Sequence, residues 1–216
     1  MSEQDWTFTG SIKKFGSTRA KKGGHPASWG SLWLLLTLDP ITSKVDGEQY
    51  IVQENKLFVS IDLDYTEDSK KGKRCKLLLA SLAEGKQVII NSAKITMMKR
   101  SKKNEKGEWE PYEQRGIKCS AFSVTVCTEQ QTSMNMGKVS GKVVKQFGNK
   151  LLIQDVYTIP GKGKTERKTR DVPLLIPDHL NKPLSGKYIL CMASLSGKNN
   201  EGIDTVFGIV NRLYEI

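Results

Sequence analysis

Three phrases of this chain occur twice, in the same order. Phe8-Thr9-Gly10-Ser11-Ile12-Lys13-Lys14-Phe15-Gly16 returns as Val139-Ser140-Gly141-Lys142-Val143-Val144-Lys145-Gln146-Phe147-Gly148. Gly85-Lys86-Gln87-Val88-Ile89-Ile90 returns as Gly186-Lys187-Tyr188-Ile189-Leu190-Cys191, and Gly116-Ile117 ahead of Phe122 as Gly202-Ile203 ahead of Phe207. Such a repeat constrains the chain to two copies of one small unit. A length of 216 residues divides into two units of about 100, each just large enough to bury a core of its own.

The units read as β-rich. Residues 5 to 15 place Trp6, Phe8 and Ile12 at alternate positions, with Gly10 where a long strand can bend. That is a strand with one buried face. Residues 31 to 38 and 56 to 63 read as the second and third strands, joined by a turn-rich stretch containing Pro40 and Gly47. Cys75 to Ala83 reads as a short helix stopped by Gly85, and residues 86 to 98 and 116 to 126 supply strands four and five. Five short strands with a helix between the third and fourth is the order of an oligonucleotide/oligosaccharide-binding (OB) barrel. The expected fold class is therefore all-β, as two tandem five-stranded OB barrels. The first spans residues 1–127, the polar stretch 128–136 is a linker, and the second spans 137–216 with strands near 138–147, 150–158, 170–176, 187–195 and 203–213. Pro177 to Leu184 replaces the helix there, shortened by Pro183. The first copy has the longer loops, where specialised work concentrates.

Lys and Arg outnumber Asp and Glu by 34 to 23, and the surplus of +11 is shared between the halves. Fixed positive charge in both halves points to a polyanionic partner, because it gathers phosphates and releases their condensed counterions. Cys75, Cys119, Cys127 and Cys191 form no Cys-x-x-Cys pair, and His25 and His179 are the two histidines, so no metal site and no cofactor are expected. No apolar stretch is of membrane-spanning length and the N-terminus lacks signal-peptide character, which places the expected protein in a reducing cytoplasm.

A binder of single strands needs cations along the phosphates and flat side chains on which bases stack. Lys13, Lys14, Arg19, Lys21 and Lys22 lie between the first two strands, in a stretch from Gly10 to Leu38 without an acid, followed by Trp29 and Trp33. Between strands four and five lie Lys99, Arg100, Lys102, Lys103 and Lys106, then Trp109 and Tyr112. These are the two loops with which this barrel grips oligonucleotides. Trp33, inside an apolar strand, is expected in the core; Trp6 is balanced between core and stacker; Trp109, in a polar hairpin, is expected to be exposed for a partner. In the second copy, Gly161-Lys162-Gly163-Lys164-Thr165-Glu166-Arg167-Lys168-Thr169-Arg170 reads as a basic hairpin, with Phe147 and Tyr157 as its nearest aromatics. Its Lys162, Lys164, Arg167, Lys168 and Arg170 are the expected phosphate contacts. Asp62, Asp64, Glu67 and Asp68 form an acidic run that reads as a solvated edge; His25 has no acid or nucleophile partner and His179 follows Asp178 in a turn, so neither histidine reads as catalytic.

Leu79-Ala80-Ser81-Leu82-Ala83-Glu84-Gly85-Lys86-Gln87-Val88, followed by a long fourth strand, a Lys/Gly/Glu hairpin with aromatics and a return strand ending Phe122-Ser123-Val124-Thr125-Val126, resembles bacterial single-stranded-DNA-binding proteins over residues 5 to 126. The resemblance implies that Trp109 and Tyr112 lie on a hairpin that clamps DNA and that Trp29 lies near the strand's path. It also implies a disordered tail with an acidic, apolar tip that recruits other proteins. This chain instead ends Asn211-Arg212-Leu213-Tyr214-Glu215-Ile216, which leaves recruitment of replication or recombination proteins in doubt and suggests a phage or mobile-element variant, as a monomer or homodimer. The expected function is non-enzymatic coating of single-stranded DNA in replication or recombination, in bacterial or phage-infected cytoplasm. The alternatives are an RNA-binding module, a protein-binding scaffold or virion component, and a metal-dependent nuclease built on Asp62 and Asp64.

Overall fold

A computed structural model describes the backbone of residues 3–160, 165–200 and 203–216, and the side chains of these except at 99–103, 157–160, 165–167, 198–200 and 203–205. In the first half the strands are β1 (Glu3–Lys22), β2 (His25–Leu38), β3 (Ile41–Val45), β4 (Glu48–Val52), β5 (Asn55–Asp64), β6 (Gln87–Lys103), β7 (Trp109–Ser120) and β8 (Val124–Val126), with helix α1 (Lys70–Ser81) after β5. The second half adds β9 (Asn135–Phe147), β10 (Lys150–Pro160), β11 (Thr165–Leu175), β12 (Tyr188–Asn200) and β13 (Ile203–Glu215), with a 3₁₀ turn at Asp178–Leu180 in the place of the helix.

Eleven strands form one sheet in the order β10-β11-β13-β12-β9-β1-β2-β5-β7-β6-β8, and two more pairings, β1 with β6 and β9 with β10, close it on itself twice. One circuit is β1-β2-β5-β7-β6 and the other β9-β10-β11-β13-β12. Each is antiparallel apart from one parallel pair, β5 with β7 and β11 with β13. Alternation drives the local structure: on β5, Leu57, Val59, Ile61 and Leu63 are buried while Phe58, Ser60 and Asp62 face the other way. Helix α1 begins where the Ser69 hydroxyl accepts from the Gly72 amide at 2.8 Å. It buries Gly72, Cys75 and Leu78.

The sequence leads one to expect two separate units with two cores. Instead β1 pairs with β9 from Glu3↔Ser140 to Phe8↔Asn135, and buried apolar residues of both halves form one cluster. Trp6 sits at this seam. It is fully buried, and a Cβ on Gly137 would fall 2.0 Å from its ring and one on Gly208 2.5 Å. Its Nε1 donates to Gln4 Oε1 at 3.1 Å, which also accepts from the Ile95 amide at 2.9 Å. Gln4 Nε2 in turn donates to Asp155 Oδ2 at 3.1 Å, so a buried polar chain crosses between the halves.

The halves also exchange arms. The β6–β7 hairpin packs against β11 and β13, and the β12–β13 hairpin lies across β5. Asn55, fully buried, fastens the second arm by donating to the Leu195 carbonyl at 3.2 Å and accepting from the Gly197 amide at 2.9 Å. Gly197 has no room for a side chain there, since a Cβ would fall 1.8 Å from the Lys56 carbonyl oxygen.

The stretch between β2 and β5 is a β3–β4 hairpin. Asp46 and Gly47 both have positive φ (54° and 77°), the backbone of a tight turn matched to strand twist. The hairpin reaches the second half, where Val45, Ile41 and Tyr50 pack with Leu175, Ile209 and Phe207. Its tip is held by Asp178, whose carboxylate accepts from the Asp46 and Gly47 amides at 2.7 and 2.8 Å.

Candidate nucleic-acid interface

Pairing of β2 with β5 fixes which side chains look outward. Trp33 stands opposite Ser60 and Leu35 opposite Phe58, while Leu32, Leu34 and Leu36 are fully buried. Trp33 is thus turned away from the core, contrary to the reading from sequence. It stacks on Phe58 with ring centroids 5.9 Å apart and planes 15° from parallel. The indole lies over Gly16, where a Cβ would meet it at 2.7 Å, so the absence of a side chain at Gly16 lets the ring lie flat. Trp29 follows on the same face of β2, 62% exposed. The result is an outward aromatic platform on the two strands this fold uses for oligonucleotides.

Two basic arms flank the platform from opposite ends. Beyond the Trp29↔Asp64 end, β1 and β2 continue as a hairpin turned by Gly23 and Gly24, both at positive φ. The cations Arg19, Lys21 and Lys22, expected in a loop, therefore sit on a β-ribbon and are exposed, while Lys13 and Lys14, also exposed, lie further back on β1 beside Leu36 and Leu35, toward the Asn55 end. Lys13 occupies an irregularity in the β1–β2 register between Ile12 and Lys14. The Arg19 Nε donates to the Ala27 carbonyl at 2.7 Å, and its guanidinium rests 4.8 Å above the Tyr65 ring, which holds that charge in place. At the other end, β7 runs parallel to β5, so the β6–β7 hairpin projects past Asn55. Register places Lys99 opposite Glu113, Arg100 opposite Tyr112, Lys102 opposite Glu110 and Lys103 opposite Trp109. Trp109 is 68% exposed and Tyr112 half-buried. The side chains of Lys99, Arg100, Lys102 and Lys103 lie outside the described residues.

In the second half Phe147 is exposed and carries Lys145 Nζ 4.6 Å over its ring. Lys168 is exposed on β11, opposite Tyr157 of β10. Lys162 and Lys164 lie outside the described residues, as do the side chains of Tyr157 and Arg167. The Arg170 Nε meets the buried Asp155 carboxylate at 2.6 Å, a pairing that ties it into the polar chain at the seam. Trp6, balanced between two roles on sequence, belongs wholly to the core.

Two carboxylates of the acidic run, Asp62 and Asp64, are engaged within the protein. Asp64 accepts from the Thr66 amide at 2.8 Å and the Ser69 hydroxyl at 2.9 Å, bonds that hold its carboxyl below the usual range, those to Thr66 foremost. Asp62 pairs with Lys118 at 2.8 Å. Among the described residues no three His, Cys, Asp or Glu side chains converge as a metal site would need. No helix among them is long and apolar enough to cross a membrane.

Taken together, the described residues are mainly β with one α-helix, in an OB-like fold. Over its whole length it is similar to a crystal structure of the wild-type single-stranded DNA binding protein from Thermus aquaticus, of which 93% is covered, with a TM-score of 0.58 and 10% sequence identity. A deletion mutant of that protein gives the same TM-score and identity, with 95% of it covered. No family model and no curated protein sequence matches the chain.

Proposed function

We propose that this protein binds single-stranded DNA with little sequence preference and takes no catalytic part in what happens to it. On this reading each circuit is a five-stranded OB barrel, one over residues 1–127 and one over 137–216, joined through 128–136. The observation that carries the proposal is the stacked Trp33–Phe58 pair, facing outward between two basic hairpins. Bases stack on such rings for about 1–3 kcal/mol each whatever their identity, and flanking cations follow the phosphates. Arg19, Lys21, Lys22 and Trp29 would take the strand at one end, Lys99, Arg100, Lys102, Lys103, Trp109 and Tyr112 at the other, with Lys13 and Lys14 along β1 between them. The similarity in fold to the Thermus aquaticus protein supports the same reading. A duplex hides its base faces, so the platform favours an unpaired strand. Coating DNA during replication or recombination is the role such binding would serve.

The test is tryptophan fluorescence during titration with oligo-dT, against a duplex and oligo-U, at two salt concentrations. Quenching by oligo-dT that weakens with salt and far exceeds that by duplex is the expected result. Equal or stronger quenching by oligo-U would turn the assignment to RNA. No response to any of the three would overturn it.

A further inference from the structure

The second half carries a cleft of ≈ 470 Å³ on the outward side of β10 and β11, and the β3–β4 hairpin of the first half supplies one wall. Tyr50 comes from that hairpin, Phe147 and Lys145 from β9, Lys150 and Leu152 from β10, and Phe207 from β13. The volume lies in the range of about 300–1,000 Å³ typical of sites that bury a small ligand. The lining is mainly apolar and aromatic, none of its residues is acidic, and its two charged members are both exposed lysines. A flat apolar group with a negative charge attached suits this combination: the aromatic rings take the flat face and the ammonium groups the charge.

The internal repeat narrows the choice. It makes β10 and β11 the counterparts of β2 and β5, since each pair leads from the first strand of its circuit to the strand that takes part in that circuit's parallel pairing, β5 with β7 and β11 with β13. The outward side of β2 and β5 is the aromatic platform. On β10 and β11 the same side is walled by the hairpin, whose tip Asp178 pins, so the open platform becomes a cleft. We propose that this cleft is a separate site that holds a single nucleotide of a bound strand, its base against Tyr50, Phe147 and Phe207 and its phosphate between Lys145 and Lys150. The inference rests on the strand-binding reading above and adds to it a site that neither half builds alone.

Photo-cross-linking of the full chain to an oligo-dT strand carrying 5-iododeoxyuridine tests it, with peptide mass mapping of the products. Cross-links on peptides bearing Tyr50, Phe147 or Phe207 are expected alongside those from the Trp33–Phe58 platform. Tyr50→Ala should weaken the cleft cross-links about five- to 150-fold, the range for one lost stacking contact. The Lys145→Glu/Lys150→Glu variant, changed at two exposed positions, should abolish them while the platform cross-links persist. Cross-links confined to the platform would overturn the cleft and leave the strand-binding reading standing. Protection of the cleft by an acidic, apolar peptide with no nucleotide cross-link there would overturn it in favour of a protein ligand. An absence of cross-links together with an absence of strand binding would overturn both.

Discussion

Replacing Trp6 with Ala removes the largest side chain from the seam, and the structure sets the size of the effect. The ring is fully buried and in contact range of two backbones, at Gly137 and Gly208, so neighbouring strands cannot close over the gap without breaking their own pairing. Truncation of such an aromatic costs about 3–5 kcal/mol. The lost hydrogen bond adds little, because Gln4 Oε1 keeps the Ile95 amide as donor. A reciprocal change separates packing from chemistry. Gly137→Ala in the native chain forces a methyl to within 2.0 Å of the indole and should cost about 1–3 kcal/mol; in the Trp6→Ala background the methyl enters vacated space and the cost should vanish. Urea unfolding followed by far-UV circular dichroism measures all four proteins, and the expected coupling is about 1–3 kcal/mol. If Gly137→Ala costs the same in both backgrounds, Trp6 does not occupy that space and the seam is wrongly described.

Trp33→Ala should weaken oligo-dT binding about five- to 150-fold with little change in melting temperature, since the ring lies outside the core; fluorescence anisotropy with labelled strand reads the first and calorimetry the second. Trp109→Ala should weaken it with the fold intact, and unchanged affinity would remove Trp109 from the interface. The Asp178 carboxyl is held below its ordinary value, chiefly by the Gly47 amide, with Asn149 and the Asp46 amide adding to it. Its contribution is therefore complete above the unfolded value of 3.8 and fades as pH falls through the lower folded value, so acid-stable pepsin should cut the β3–β4 hairpin faster as pH drops below that point, and Asp178→Ala should remove the pH dependence. Burial pushes the Cys119 and Cys191 thiols up to about 12, whereas Cys127 is partly accessible. Iodoacetamide at pH 8 should therefore label Cys127 first, and labelling of Cys119 or Cys191 at a comparable rate in the folded protein would contradict the burial.

The repeated phrases and the alternation along β5 made the strand order legible, because both are local patterns. What escaped was decided by distant partners. Leu32-Trp33-Leu34-Leu35-Leu36 is apolar at every position, so its sequence contains no contrast from which to choose an inward face. The choice is made by pairing with β5, where Leu57 and Val59 alternate with Phe58 and Ser60. The role of Trp6 depends on Gly137, far along the chain, and that of Arg170 on Asp155 and Gln4. The two basic clusters were visible as charge, but polar hairpin arms beyond the barrel have no buried face to imprint a period on them. The β3–β4 hairpin was legible in principle: Asp46-Gly47 between short β-prone runs is a strong turn signal, and its destination, the second half, was not.

The start of strand β1 has a consequence for the edges of the sheet. Trp6 and Phe8 are paired on one side with Ala93 and Ile90 of β6 and on the other with Gly137 and Asn135 of β9. Over that stretch the strand has neighbours on both flanks and offers no unpaired amides to a passing chain, and it is exposed edges that seed runaway association; beyond Ser11 it continues in pairing with β2. In effect the first copy of the repeat finds its companion further along the same polypeptide, and finds it at any dilution.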